Sequence, residues 1–237
     1  TQLQAGLGLI KETKVLLDLW EENITPGELH DRALNSGEFS DKTSRRIKNI
    51  VNECFKPRYL INGGAPAIHL KKLMPRINEQ EFIQFQFLFT CRANLILADF
   101  ISHVYWELYA GGYDYISTEH AENFILDSIN EGKMEKRWEK STIKRQTSYL
   151  IGCCVDFGLL EKGRGETKQI KPFYLTDALK LYLTYDLHLS GLSDSALISH
   201  NNWSFFGFKS SDVLNELRGL SQKGFFIIQS GGGVTTI

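Results

Sequence analysis

The stretch "EFIQFQFLFTCRANLILADFISHVYWELY", residues 81–109, decides the fold. Phe82, Phe85, Phe89, Leu95, Leu97, Phe100, Val104, Trp106 and Leu108 fall on every side of a helix drawn through it. A surface helix keeps one polar face, so a segment apolar all round belongs in a bilayer or inside a helical protein. A membrane span needs roughly 18 uninterrupted apolar residues, and Gln84, Gln86, Arg92 and Asp99 interrupt this one. The reading is one or two buried helices at the centre of a mainly α-helical globular protein. At 237 residues, 42% of them hydrophobic, the chain can bury one large core or two small ones. The opening "TQLQAGLGLIKETK" lacks the basic start and the small-residue cleavage site of a secretion signal. Cys54, Cys91, Cys153 and Cys154 show neither the paired spacing of a zinc clip nor the density of a disulfide scaffold. A cytoplasmic chain with free thiols, no membrane association and no cofactor is expected.

Outward from this core, helical periodicity continues in both directions. Residues 7–20 repeat apolar positions at helical spacing, and Thr25 followed by Pro26 starts a second helix. After a turn at "LNSGEF", Ser40 is the N-cap expected for a third helix that reaches about Phe55 and is stopped by Pro57. Ile47, Ile50, Val51 and Cys54 share its packing face. Ser117 caps a helix in "STEHAENFILDSINEG". Ser141 is expected to cap the next, on which Ile143, Thr147, Leu150, Cys154 and Phe157 share a face. "GLLEKGRGETKQIKPFYL", residues 158–175, reads as a tight loop or short hairpin, and a helix follows from Asp177 to His188. "SSDVLNELRGLSQKG" is a further helix, and "FFIIQSGGGVTTI" a β-hairpin around its glycines, the helix-then-wing order of a winged helix. Three regions are expected: 1–78 with a helix-turn-helix-like basic helix, 79–190 with the core, a second such helix and a short wing, and 191–237 with the last helix and hairpin. They can pack as one unit.

Charge is unevenly spread. Residues 40–58 and 133–145 each carry six Lys/Arg against two acids, a net +4 apiece, which leaves −9 on the rest of a chain whose formal charge is −1. Clustered cations make a local footprint for a polyanion, above all a nucleic-acid backbone. The candidate DNA-binding residues are Lys42, Thr43, Ser44, Arg45, Arg46, Lys48 and Asn49 on the first helix, and Lys140, Thr142, Lys144, Arg145 and Ser148 on the second. Their hydroxyls and amides suit phosphates or base edges. The bland alternative is that each helix simply has a solvated charged face.

Catalytic signals are sparse. Asp99, His103 and Glu107 stand at i, i+4 and i+8 on one helix face, a spacing that offers oxygen and nitrogen ligands to a metal. In so apolar a neighbourhood, buried hydrogen bonding or a helix rim is the stronger explanation. "INGGAP" at residues 61–66 has neither a Walker lysine nor GxGxxG spacing and reads as a turn. No HExxH or GxSxG occurs, so no enzyme and no metal site are expected.

The segments "LGLIKETKVLLDLW", "SDKTSRRIKNIVNECFKPRYL", "LADFISHVYWELYAGGYDYISTEHAENFI" and "WEKSTIKRQTSYLIGCCVDFGLLEKG" followed by "IKPFYLT" resemble the BrxA family of bacteriophage exclusion (BREX) phage-defence systems. The resemblance covers about residues 5–185 through diffuse patterns rather than a catalytic signature. It implies a small, mainly helical protein with helix-turn-helix-like elements, a DNA contact and no catalytic residues, and it maps onto the two basic helices as regions only. Members have been labelled inner-membrane proteins, which the interrupted apolar run argues against. The expectation is a non-catalytic component that binds duplex DNA through phosphates, monomeric alone and working beside other BREX proteins. Two rivals remain. One is an interaction scaffold that never touches DNA, and the other a metal-dependent nuclease built on Asp99, His103 and Glu107.

Overall fold

Why an apolar run broken by polar residues can be buried is answered by its hydrogen bonds. The computed structural model describes residues 8–133, 138–231 and 234–237. It is mainly α-helical and divides into two compact units, Thr1–Pro172 and Phe173–Ile237.

In the first unit, α1 (Ile10–Leu19), α2 (Pro26–Asn35), α3 (Ser44–Asn49), α4 (Lys56–Tyr59) and α5 (Ala65–Leu73) precede the central α6 (Glu79–Ala93), α7 (Leu95–Phe100) and α8 (Trp106–Ala110). Strand β1 (Tyr115–Ser117), α9 (Thr118–Asn130), α10 (Lys140–Asp156) and strand β2 (Thr167–Gln169) complete it. Within α6, Gln84, Gln86 and Thr90 are as buried as the phenylalanines around them. Thr90 donates to the Gln86 carbonyl (2.7 Å), Asn94 to the Thr90 carbonyl (2.8 Å), and the Gln86 amide to the Ile10 carbonyl (3.2 Å). Bonds of this kind remove most of the cost of burying polar groups, about 1–3 kcal/mol each when unmade. Asn94 is extended (φ −136°, ψ 91°), and there the path of the chain turns by 112°. Among the described residues no single helix is long and apolar enough to cross a membrane.

The core closes from the C-terminal side of this corner. Phe157 packs on Phe87 (centroids 5.2 Å apart) and Phe124 meets Phe100 edge-on (5.5 Å), while the Tyr105 hydroxyl donates to the Leu159 carbonyl (2.9 Å). Each buried aromatic or leucine adds about 1.5–3 kcal/mol of hydrophobic stabilisation. Cys54, Cys91, Cys153 and Cys154 are free thiols within this core, and burial pushes the Cys153 pKa up to about 12.

Local signals are partly as expected. Thr25 forms a capping box with Glu28 and Pro26 opens α2, and Ser117 caps α9. Three expectations need correction. The N-cap of α3 is Thr43, whose hydroxyl accepts the Arg46 N–H (3.2 Å), because Ser40 is held in the preceding turn by its own N–H to Gly37. Pro57 does not stop that helix: a π-helical turn over Ile50–Phe55 shifts the bonding by one residue, with Lys56 N–H on the Val51 carbonyl, and α3 runs through to α4. A wider turn is one way a helix absorbs a proline, which brings no N–H and crowds the preceding carbonyls. Finally, α10 begins one residue before Ser141, after an N-cap Glu139 that makes no side-chain capping bond.

The second unit holds α11 (Asp177–Leu189), α12 (Asp194–Ile198), α13 (Ser210–Gln222) and a hairpin of β3 (Gln229–Gly231) and β4 (Val234–Thr236). The strands are where the sequence puts them; the connecting residues 232–233 lie outside the described residues. Its charged centre is Lys180, 4% exposed, bonded to Asp177 (3.2 Å) and Glu216 (2.7 Å). Burial opposes its charge, but the two carboxylates outweigh burial and raise its pKa.

Candidate nucleic-acid interface

The two basic helices differ in how much of their charge faces solvent. On the first, Lys42 is consumed by ion pairs with Asp41 (2.9 Å) and Glu12 (3.3 Å). The hydrogen bonds it donates to Asp41 and Glu12 raise its pKa against the pull of burial. Thr43 is occupied as the cap, and Ser44 lies 3.4 Å from His30 Nε2 on α2, where α2 and α3 meet. Arg46 is half-buried, and Arg58, counted in the +4 of this segment, is 2% exposed and donates to the Gly8 carbonyl (3.3 Å). What remains outward is Arg45, Lys48, Asn49 and Lys56.

On α10 the expected face survives almost whole. Ile143, Thr147, Leu150 and Cys154 are buried. Lys140, Lys144, Arg145 and Ser148 are exposed, and Thr142 is half-buried. The Ser148 hydroxyl donates to the Lys144 carbonyl (3.0 Å). No ion pair among the described residues engages Arg45, Lys48, Lys140, Lys144 or Arg145. Lys136 and Arg137, part of the same +4 count, lie outside the described residues.

Of the elements around α10, the sequence shows the helix before it and a loop or hairpin after it, but not the strand that pairs with that hairpin. β1 pairs antiparallel with β2 (Tyr115 opposite Gln169, Ser117 opposite Thr167), and Leu160 bridges Ile170, so β2 and its extension lie between two neighbours. The chain order is therefore strand, helix α9, helix α10, bridge, loop, strand. The loop, residues 161–166, is exposed throughout and presents Lys162 and Arg164. Lys168 reaches back from β2 and donates to the Gly163 and Gly165 carbonyls, the latter at 2.9 Å. Gly165 sits at φ +99°, where a side chain would be strained. Those glycines and the alternation "ETKQI" were the only sequence signal, and it was read as a loop or hairpin without Tyr115–Ser117 as its partner.

Asp99, His103 and Glu107 do come together, all exposed along one wall of a groove of about 760 Å³ that α9 closes with His120 and Asp127. Among the described residues no group of three or more His, Cys, Asp or Glu is placed to hold a metal ion.

The BrxA family model matches residues 1–186. A comparison with curated proteins gives no match.

Proposed function

The chain belongs to the BrxA family of bacteriophage exclusion systems, and from that premise we propose that it is a non-catalytic defence component that binds duplex DNA mainly through phosphates. One observation carries the reading. The exposed Lys140, Lys144, Arg145 and Ser148 lie on the second helix of a strand–helix–helix–hairpin order, the plan of a winged helix, with Lys162 and Arg164 on the loop beside it. A helix presented in this way fits the major groove, and a basic loop fits the flanking backbone. Arg45 and Lys48 on α3 supply a second, smaller patch after a helix and a turn. Other BREX proteins are the partners this reading implies, with the chain itself monomeric and cytoplasmic.

Fluorescence anisotropy with a short duplex, titrated at several salt concentrations, tests it. Changing Arg45, Lys48, Lys144 and Arg145 to Gln keeps helix propensity and hydrogen-bonding capacity while removing charge. The log–log salt slope is expected to fall by about 0.9 per lost phosphate contact, about 3.6 for the four. A quadruple variant that binds with wild-type affinity and slope would sink the assignment.

A second reading, an interaction scaffold, is favoured by the apolar surface of the second unit, where Leu189 is 80% and Ile227 74% exposed. It expects no DNA affinity in the wild type and loss of co-purifying defence proteins when these residues are made polar.

A further inference from the structure

Gly8 stands between the two basic helices at their far ends. Its N–H donates to Asp156 Oδ2 (2.8 Å), on the last residue of α10, and its carbonyl accepts from Arg58 (3.3 Å), in α4 at the end of the rod that begins with α3. Gly8 is buried, and a Cβ on it would fall 2.7 Å from the Asp156 Cβ, closer than side-chain atoms approach. The next residue, Leu9, is left-handed (φ 51°, ψ 40°) although it has a side chain. A non-glycine persists there only when its surroundings hold it, so the backbone at residues 8–9 is pinned from both sides.

Resting on the DNA-binding reading above, we propose that Gly8, with Asp156 and Arg58, is a cross-tie that sets the angle between the two basic helices, so that both engage one duplex. Asp156 and Arg58 are positioning residues and touch no DNA. Leverage is the physical reason. Arg45 lies roughly 20 Å along its rod from Arg58, and Lys144 roughly 18 Å along α10 from Asp156, at 1.5 Å per residue. A tilt of about 10° at the joint therefore moves the tips by about 3 to 3.5 Å, close to one base-pair step of about 3.4 Å. Phosphate contacts made by both tips together cannot survive such slippage, whereas contacts made by one tip can.

The test uses the full chain and two readouts. Asp156→Ala removes the acceptor for the Gly8 N–H and also a negative charge, so charge alone makes it bind DNA more tightly. The cross-tie makes it bind more weakly, by about tenfold, with the salt slope shallower by about half of its four-contact value. Asp156→Asn keeps an oxygen for the Gly8 N–H and binds at least as well as the wild type. An Asp156→Ala protein that binds as tightly as the wild type overturns the proposal. The second readout needs no DNA. Spin labels on Lys48→Cys and Ser148→Cys, specific because the four native thiols are buried, give a narrow interhelix distance in the wild type and in Asp156→Asn, and a broad one in Asp156→Ala. An unbroadened distribution also overturns it. A wild type with no DNA affinity defeats the DNA reading, and the label distances then decide the cross-tie alone. If Asp156→Ala loses its helical circular dichroism, Gly8→Ala replaces it, forcing the same joint apart without deleting the acceptor.

Discussion

Lys42 and Arg45 are three positions apart on the same basic segment, yet the structure gives them opposite fates. Lys42 is bound by Asp41 and Glu12, and Arg45 faces solvent. A cation already neutralised by carboxylates releases few counterions when DNA arrives, so Lys42→Gln is expected to leave the salt slope of DNA binding unchanged, while Arg45→Gln lowers it by about 0.9. Equal effects at both positions, measured by the same anisotropy titration, would show that the ion pairs open on binding. The sequence could count these charges but not apportion them. Glu12 lies on α1, thirty residues upstream, and Arg58 points inward to a carbonyl supplied by residue 8. Both pairings are tertiary, and periodicity within one helix says nothing about them. The α10 face was legible because its apolar stripe, Ile143 to Cys154, is long enough to fix which side is left over.

At the scale of elements, helices were readable and the small sheet was half missed. Long amphipathic stretches announce themselves by period, whereas β1 is three residues, "YIS", whose pairing partner is some fifty residues away. Ser117 gave a strong capping signal to α9 and hid the strand that ends on it. Pro57 misled for a related reason: the sequence marks the proline but not the π turn that accommodates it. The loop after α10 offers a direct test of its architecture. Lys168 bonds two carbonyls of the loop, and replacing it by Ala leaves those acceptors to water. Because the site is exposed, global stability is expected to move by less than about 0.5 kcal/mol. Hydrogen exchange of residues 161–166 should nevertheless quicken severalfold, and duplex affinity should fall. Unchanged exchange would mean that Gly165 and its neighbours hold the loop without the lysine.

The molecule as a whole consists of two compact units, and the second carries its own acid sensitivity. The Lys223 hydrogen bond, then that of Lys180, holds the Asp177 carboxyl below its ordinary value, with Glu216 completing the group around Lys180. A depressed folded-state pKa stabilises the fold above the unfolded value, near 3.9, and that contribution fades as pH falls through the lowered value. Thermal melts should therefore show Asp177→Asn less stable than the wild type at pH 6 to 7, with the gap closing below about pH 4. A gap independent of pH would assign the effect to packing instead. The first unit raises a different matter, one of timing rather than energy. The apolar corner formed by α6, α7 and α8 is complete at residue 110, but the side chains that cover it, Phe124 and Phe157, and the Leu159 carbonyl that receives the Tyr105 hydroxyl, come later in the chain. At roughly 5–20 residues per second, a ribosome takes about 3–10 s to supply them. For that interval the corner is covered on one side only, by helices made before it, with Gln86 on the Ile10 carbonyl and Phe89 against Tyr59, while its other side waits for residues that have not yet been made.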